Sequence, residues 1–276
     1  MTLKFTKMHG CGNDYIYVDC FEKTPENIPE LAKKLSRRHF SVGADGLICI
    51  CKSDVADGRM RMYNADGSES PMCGNGVRCV AQWLYDHGRA GEEASVETGD
   101  GIKTMRRMGD NEWQVDMGTA RFDPAQVPVQ GMGDEPVIDK ELMIGGRAYK
   151  VACVSMGNPH CVTVVKDVAA VEIEKLGPAF EHHSVFPVGV NTEFIQVLNP
   201  THIKMRVWER GSGETFACGT GACAVAAACV ARGLCQPDTD IRIDLVGGTL
   251  TIRVDRDWRV FMTGPTETVC EGEAYI

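Results

Sequence analysis

Three observations predict an α+β fold made of two related halves. A Cys-Gly-x-Gly segment occurs twice, at Met72-Cys-Gly-Asn-Gly-Val-Arg-Cys-Val-Ala81 and at Ala217-Cys-Gly-Thr-Gly-Ala-Cys-Ala-Val-Ala226, with Cys218 standing 145 residues after Cys73. The same offset carries Gly12-Asn13 onto Gly157-Asn158 and Asn64 onto Glu209, while Val42-Gly43 meets Val188-Gly189 with a one-residue slip. Agreement of several features in one register marks an internal repeat. Each half also mixes short β-branched runs with helical patterns, as α+β chains do.

The elements follow in order. Asp14-Tyr-Ile-Tyr-Val-Asp19 and Cys161-Val-Thr-Val-Val165 read as strands. Residues 25–39 read as an amphipathic helix with Ile28, Leu31, Ala32 and Leu35 on one face. Gly46–Ile50, Met60–Tyr63 and Ile203–Trp208 are short strand-like segments. After each Cys-Gly-x-Gly a helix is expected, the first running to His87 with Gly88 as its C-cap and the second to Arg232 with Gly233 in that role. Asp123-Pro124 and Pro128 break regular structure. The expected division is 1–118 with a returning tail, 264–276, as the half carrying Cys73, and 119–263 as the half carrying Cys218.

Composition narrows the function classes. A chain of 276 residues, 43% hydrophobic, can bury a core without disulfide staples. A net charge of −9 and the absence of any block of five Lys or Arg argue against nucleic acid as a partner. Residues 1–10 lack the apolar run of a secretion signal, and no segment offers the ~20 apolar residues that span a bilayer, so a cytoplasmic protein without membrane contact is expected. Thirteen cysteines, an odd number with no C-x-x-C spacing, are expected as free thiols holding no metal. Cys79, Cys223 and Cys229 fall inside the helices and are expected in the core.

Cys73 and Cys218 stand apart. A cysteine placed where a helix starts meets unpaired backbone N–H groups and the positive end of the helix dipole, an environment expected to lower its pKa. The glycines allow close approach of a ligand, and the exposed amides suit a carboxylate. Two such cysteines supply what inversion of a stereocentre needs: a base on one face of Cα and an acid on the other, exchanging roles in the reverse direction. No pyridoxal signature is present, so a cofactor-free, two-base reaction on a small amino-acid substrate is expected.

The residues Asn64-Ala-Asp-Gly-Ser-Glu-Ser-Pro-Met-Cys73-Gly-Asn75-Gly-Val-Arg78 and Trp208-Glu209-Arg210-Gly-Ser-Gly-Glu-Thr-Phe-Ala-Cys218-Gly-Thr220-Gly-Ala-Cys223 closely resemble the two signatures of the diaminopimelate epimerase family. His9-Gly-Cys-Gly-Asn13-Asp14, Gly157-Asn158-Pro-His160 and Gly189-Val-Asn191-Thr match as well, so the resemblance spans essentially the whole chain. It implies two domains, each a small antiparallel β-barrel around a central helix, a homodimer, and interconversion of LL- and meso-2,6-diaminopimelate without a cofactor. It further implies Cys73 and Cys218 as the acid–base pair, and the amides at Gly74-Asn75 and Gly219-Thr220 as the hold on the reacting carboxylate. Glu209 would then accept the reacting ammonium, and Asn13, Asn64, Asn158, Asn191 and Arg210 would grip the distal end, with His160 in support.

One position departs from the pattern. Gly46 follows Gly43-Ala44-Asp45 where many relatives carry glutamine, which leaves the grip on the distal end open. Proline racemases, which carry His where Asn75 stands, resemble the chain less. An epimerase of histidine or lanthionine remains the alternative within the class, and a non-catalytic thiol redox sensor the alternative outside it.

Overall fold

A computed structural model describes residues 2–276. The chain forms two compact units, residues 1–116 with 263–276, and residues 117–262. Among the described residues no helix is long and apolar enough to cross a membrane.

In the first unit β1 (Thr2–Gly10), β2 (Asn13–Cys20), α1 (Ile28–Ser36), β3 (Gly46–Cys51), β4 (Gly58–Asn64), β5 (Glu69–Ser70), α2 (Gly74–Asp86), β6 (Glu93–Thr98) and β7 (Gly101–Gly109) follow one another, and β8 (Glu112–Thr119) leads out of the unit. The second opens with β9 (Lys140–Ile144) and repeats the order: β10 (Arg147–Ser155), β11 (Pro159–Val164), α3 (Ile173–Glu181), β12 (Asn191–Asn199), β13 (His202–Glu209), β14 (Gly213–Thr215), α4 (Gly219–Ala231), β15 (Asp240–Leu245) and β16 (Gly248–Val254). Then β17 (Arg259–Pro265) leads back, and β18 (Glu267–Tyr275) pairs antiparallel with β1 as β9 does with β10.

The sheets are mixed, where the family resemblance implied antiparallel barrels. β2 with β3, β4 with β6, β11 with β12 and β13 with β15 run parallel, and the other pairs described within the units run antiparallel. The cause is the helices. A parallel pair needs a crossover connection, and each of these four is bridged by one of the four helices.

Each helix is explained by its pattern. In α1 the expected face is the buried one, Ile28, Leu31, Ala32 and Leu35, with Ser36 beside it, and it packs on Ile16, Val18, Leu47 and Cys49 of β2 and β3. The helix is shorter than the 25–39 expected, because Pro29 in its first turn sets the start and Asn27 before it is left-handed at φ 48°. The opposite face of β3 carries Ile48 and Ile50, also fully buried, so β3 is covered on both sides and reads as one apolar run. In the second unit α3 covers β10, β11 and β12 in the same way, through Ile173 and Phe180. α3 has no clear helical pattern in the residues because Gly177-Pro178 lies inside it.

The central helices are buried almost all round. α4, Gly-Thr-Gly-Ala-Cys-Ala-Val-Ala-Ala-Ala-Cys-Val-Ala, has no polar stripe to turn to water. Its Cys223 and Cys229, and Cys79 of α2, have no exposed surface. α2 also buries Arg78 and Gln82. Gln82 is satisfied by accepting from Trp113 Nε1 at 2.8 Å and donating to Asp86 at 2.8 Å. Both helices end in the same C-cap: Gly88 and Gly233 take φ +65° and +69°, and N–H groups of Arg89 and Leu234 reach back to Leu84 and Cys229.

Gly177 shows how tightly α3 is seated, since a Cβ there would stand 2.2 Å from the Trp208 ring. Gly177→Ala is expected to cost roughly 1–3 kcal/mol through overpacking. Thermal unfolding measures it, and an unchanged melting temperature would mean that Trp208 can move aside freely.

Candidate active site

Cys73 and Cys218 are the N-cap residues of α2 and α4. Their backbones are extended, at φ −136°, ψ 123° and φ −117°, ψ 109°, and their carbonyls accept from Val77 and Ala222 in the first turn. Each sulfur takes the acceptor place that a Ser or Asp oxygen fills in most helices. Cys73 Sγ accepts from Gly76 N at 3.4 Å and Cys218 Sγ from Gly221 N at 3.3 Å. The second glycine of each motif is required by the floor beneath it. A Cβ at Gly76 would meet Ile48 Cδ1 at 2.8 Å, and one at Gly221 would meet Glu193 Oε1 at 2.8 Å.

In the first half-site Asn13 is the hub. Its Nδ2 donates to Asp45 Oδ2 at 2.8 Å, and its Oδ1 accepts from Cys73 Sγ at 3.2 Å and Asn75 Nδ2 at 3.4 Å. Asp45 in turn accepts from Arg38 at 3.0 Å. Asn75 Oδ1 accepts from the buried Arg78 at 2.9 Å, and Arg78 also donates to Gly74 O at 3.3 Å. The Tyr15 hydroxyl bears on the Cys73 sulfur and favours its ionised form.

In the second half-site Asn158 holds the corresponding place. Its Nδ2 donates to Thr220 Oγ1 at 3.3 Å, its Oδ1 lies 2.9 Å from His160 Nε2, and His160 Nδ1 lies 2.6 Å from Glu193 Oε1. Thr220 Oγ1 is 3.5 Å from Cys218 Sγ. Glu209 accepts a very short hydrogen bond from Thr215 and bears electrostatically on Cys218.

The expected lowering of both thiol pKa values is corrected. Burial pushes the Cys73 thiol up, and the amides of Gly76 and Asn75, the Tyr15 hydroxyl and the Arg78 charge pull it back only in part. Cys218 is driven well above the ordinary thiol range by burial and then by the Glu209 and Glu193 carboxylates, against Thr220 and the Gly221 amide. A helix N-terminus stabilises a thiolate by a charge effect that burial outweighs here.

The remaining expected residues sit apart from the sulfurs. Asn64 ends β4 and donates to Ser68 Oγ at 3.0 Å within an exposed turn. Asn191 is buried and serves as a staple, donating to Pro159 O at 2.9 Å and accepting from Arg210 N at 2.9 Å. The Arg210 guanidinium is exposed, donates to Val188 O at 3.0 Å, and borders an open cavity of about 530 Å³ with His182, His183 and Gly189. Gly46 is dictated by packing: a Cβ there would lie 2.2 Å from Tyr63 O, so this backbone has no room for a glutamine side chain.

Four residues escaped the sequence reading: Tyr15, Asp45, Arg78 and Glu193. The repeat register held a signal for two of them, since it sets Tyr15 opposite His160 and Ile48 opposite Glu193. In the reduced protein, alkylation by iodoacetamide read by peptide mass spectrometry over a pH series is expected to give Cys73 a lower midpoint than Cys218. The reverse order would refute the electrostatic ranking of the two half-sites.

Known proteins resemble the chain along its whole length. The model of the family described as diaminopimelate epimerase matches residues 5–122 and 152–269, one stretch in each half. The diaminopimelate epimerase of Agathobacter rectalis is 49% identical over 99% of this chain and 100% of its own length. That of Acetivibrio thermocellus is 49% identical over 98% of each chain. Among solved structures, a phenazine biosynthesis protein of the PhzF family from Bacillus anthracis aligns with a TM-score of 0.75 at 18% identity over 100% of both chains. A hydroxyproline epimerase from Agrobacterium vitis aligns at 0.67 and 14% over 99% of this chain and 92% of its own. These two share the fold. Matched along both halves and over its full length, the chain belongs to the diaminopimelate epimerase family.

Proposed function

We propose that this chain interconverts LL- and meso-2,6-diaminopimelate by cofactor-independent, two-base chemistry, as an amino-acid epimerase of lysine and peptidoglycan precursor synthesis. The observation that carries the reading is the repeated sulfur N-cap: two cysteines in equivalent frames, each at the positive end of a buried helix. Relatives named diaminopimelate epimerase at 46–49% identity over the full chain support the substrate.

The chemistry follows from the parts. One cysteine as thiolate removes the α-proton, and the other as thiol delivers a proton to the opposite face of Cα; the return reaction exchanges their roles. The α-proton is a very weak acid, so a thiolate whose pKa is raised by burial is the stronger base for it. The negative charge that develops spreads into the α-carboxylate, which the first-turn amides at Gly74-Asn75 and Gly219-Thr220 would hold at the helix N-termini. Glu209 would take the α-ammonium, whose positive charge offsets the carboxylate that disfavours a thiolate at Cys218. Arg210, exposed beside its cavity, would meet the distal carboxylate as a fork, with Asn13, Asn64, Asn158 and Asn191 lining or bracing the grip. A cytoplasmic homodimer completes the proposal.

Proton NMR of LL-diaminopimelate with the reduced protein in D2O is expected to show loss of the α-proton signal and growth of the meso isomer. Absence of exchange with both thiols free would move the reading to another amino acid, tested first with histidine and lanthionine. Cys73→Ala is expected to abolish turnover with the fold intact, and full turnover would remove Cys73 from the mechanism. Glu209→Gln is expected to slow the reaction by about 100-fold, in the range of a lost general acid–base or charge contact. An unchanged rate would return Glu209 to a structural role.

A further inference from the structure

Laid over each other by the 145-residue register, the half-sites share a frame and differ in what fills it. Asn13 and Asn158 coincide, as do Cys73 and Cys218, but Tyr15 stands opposite His160 and Ile48 opposite Glu193. The pairing agrees with the sheets, where Tyr15 registers with Gly46 and His160 with Asn191 at the start of each parallel pair. Ile48 and Glu193 lie under the equivalent glycines, Gly76 and Gly221. A carboxylate thus replaces an apolar floor in one half only, with no exposed surface on either Glu193 or His160.

Resting on the reading of Cys218 as an acid–base group, we propose that Glu193 is a positioning residue of the second half-site, acting through His160, Asn158 and Thr220 on the proton of Cys218. The four links run unbroken from Glu193 Oε1 to Cys218 Sγ, at 2.6, 2.9, 3.3 and 3.5 Å. Each link can take two polarities. With a proton shared between Oε1 and Nδ1 and a hydrogen on Nε2, His160 donates to Asn158 Oδ1. The amide NH2 then donates to Thr220 Oγ1, and the threonine hydroxyl is left to donate to sulfur, which favours the thiolate. With Glu193 ionised and His160 carrying its hydrogen on Nδ1, the amide reverses. Thr220 then donates to Asn158 Oδ1 and presents a lone pair to sulfur, which favours the thiol. The two arrangements hold the same number of protons, one on the buried pair or one on Cys218.

The first half-site has no such freedom. Asp45 can only accept, so Asn13 must turn Nδ2 toward it and Oδ1 toward Cys73. The groups bearing on Cys218 are Glu209, Glu193, Thr220 and the Gly221 amide; those bearing on Cys73 are Tyr15, Arg78 and the amides of Asn75 and Gly76. Glu193 Oε2 has no hydrogen-bond partner among the described residues, and besides His160 only the Glu193 amide itself favours the ionised form. Burial holds the Glu193 carboxyl above the usual carboxylate range, which suits a carboxyl that exchanges a proton with imidazole.

The variant Glu193→Gln keeps a hydrogen bond to His160 and removes both the charge and the exchangeable proton. Alkylation of the reduced protein over a pH series needs no substrate, so its outcome is separable from the identity of the amino acid turned over. The Cys218 midpoint is expected to move to lower pH, with alkylation below it faster by about threefold or more, as loss of one nearby negative charge predicts. The Cys73 profile is expected to stay unchanged. With diaminopimelate, kcat is expected to fall by about 10-fold or more with KM within about 2-fold, the usual scale for a lost supporting shell. An unchanged Cys218 profile and kcat would overturn the proposal, and so would equal movement of both cysteines. Should the variant fail to fold, the wild-type protein decides through long-range 1H–15N NMR. The His160 ring nitrogens are expected to shift over the pH range in which Cys218 ionises, and constant signals across that range would overturn it.

Discussion

The contact on which the rest depends is a sulfur accepting a hydrogen bond from the third residue of the helix it caps. As a cap it is a poor choice. Oxygen caps contribute about 1 kcal/mol to a helix, and sulfur is a weaker acceptor. The helices do not need it, since α2 and α4 are held by burial on nearly every side. What the geometry secures is position: the sulfur is fixed to the helix axis by Gly76 or Gly221, and each glycine is fixed by a floor that a Cβ would strike. Each sulfur is thereby tied to a helix buried on nearly every side.

From that shared frame the two halves diverge electrostatically. Cys73 stands near the Arg78 cation and the Tyr15 hydroxyl, while Cys218 stands near Glu209 and the Glu193–His160 pair. Arg78 has Cys223 as its counterpart, and Asn64 has Glu209, so cation and anion were placed in opposite halves of one repeat. The repeat would supply the symmetry that the proposed two-faced reaction at carbon requires. The inequality of the halves suits the proposed substrate, which carries its ammonium on one side of the α-carbon.

Much of this was legible in the residues because the relevant signals are local. The face of α1 follows from Ile28, Leu31, Ala32 and Leu35, and the ends of α2 and α4 follow from Gly88 and Gly233, whose positive φ closes the last turn. The cap role of both cysteines follows from the glycines behind them. What escaped depends on contacts distant in sequence. α3 was hidden because Gly177-Pro178 breaks its propensity, and that glycine is present for Trp208, 31 residues on. The parallel pairs are a matter of topology that strand patterns do not encode. Asp45 and Arg78 carry no local pattern that assigns them a role, and only the fold brings them to Asn13 and Asn75.

The thiol pKa values show why local reasoning misled at the site itself. A helix N-terminus favours a thiolate, and the amides here do so, yet desolvation prevails at the half-buried Cys73 and at the buried Cys218. For a nucleophile that would be a defect, since little thiolate would be present. For a base facing a carbon acid it is an advantage, because the proton's destination must be basic enough to receive it. In the proposed reaction substrate would supply the missing stabilisation, its ammonium offsetting beside Glu209 part of the charge that raises Cys218. A thiolate of high intrinsic basicity would then be populated when there is a proton to remove, and burial would couple base strength to the presence of substrate.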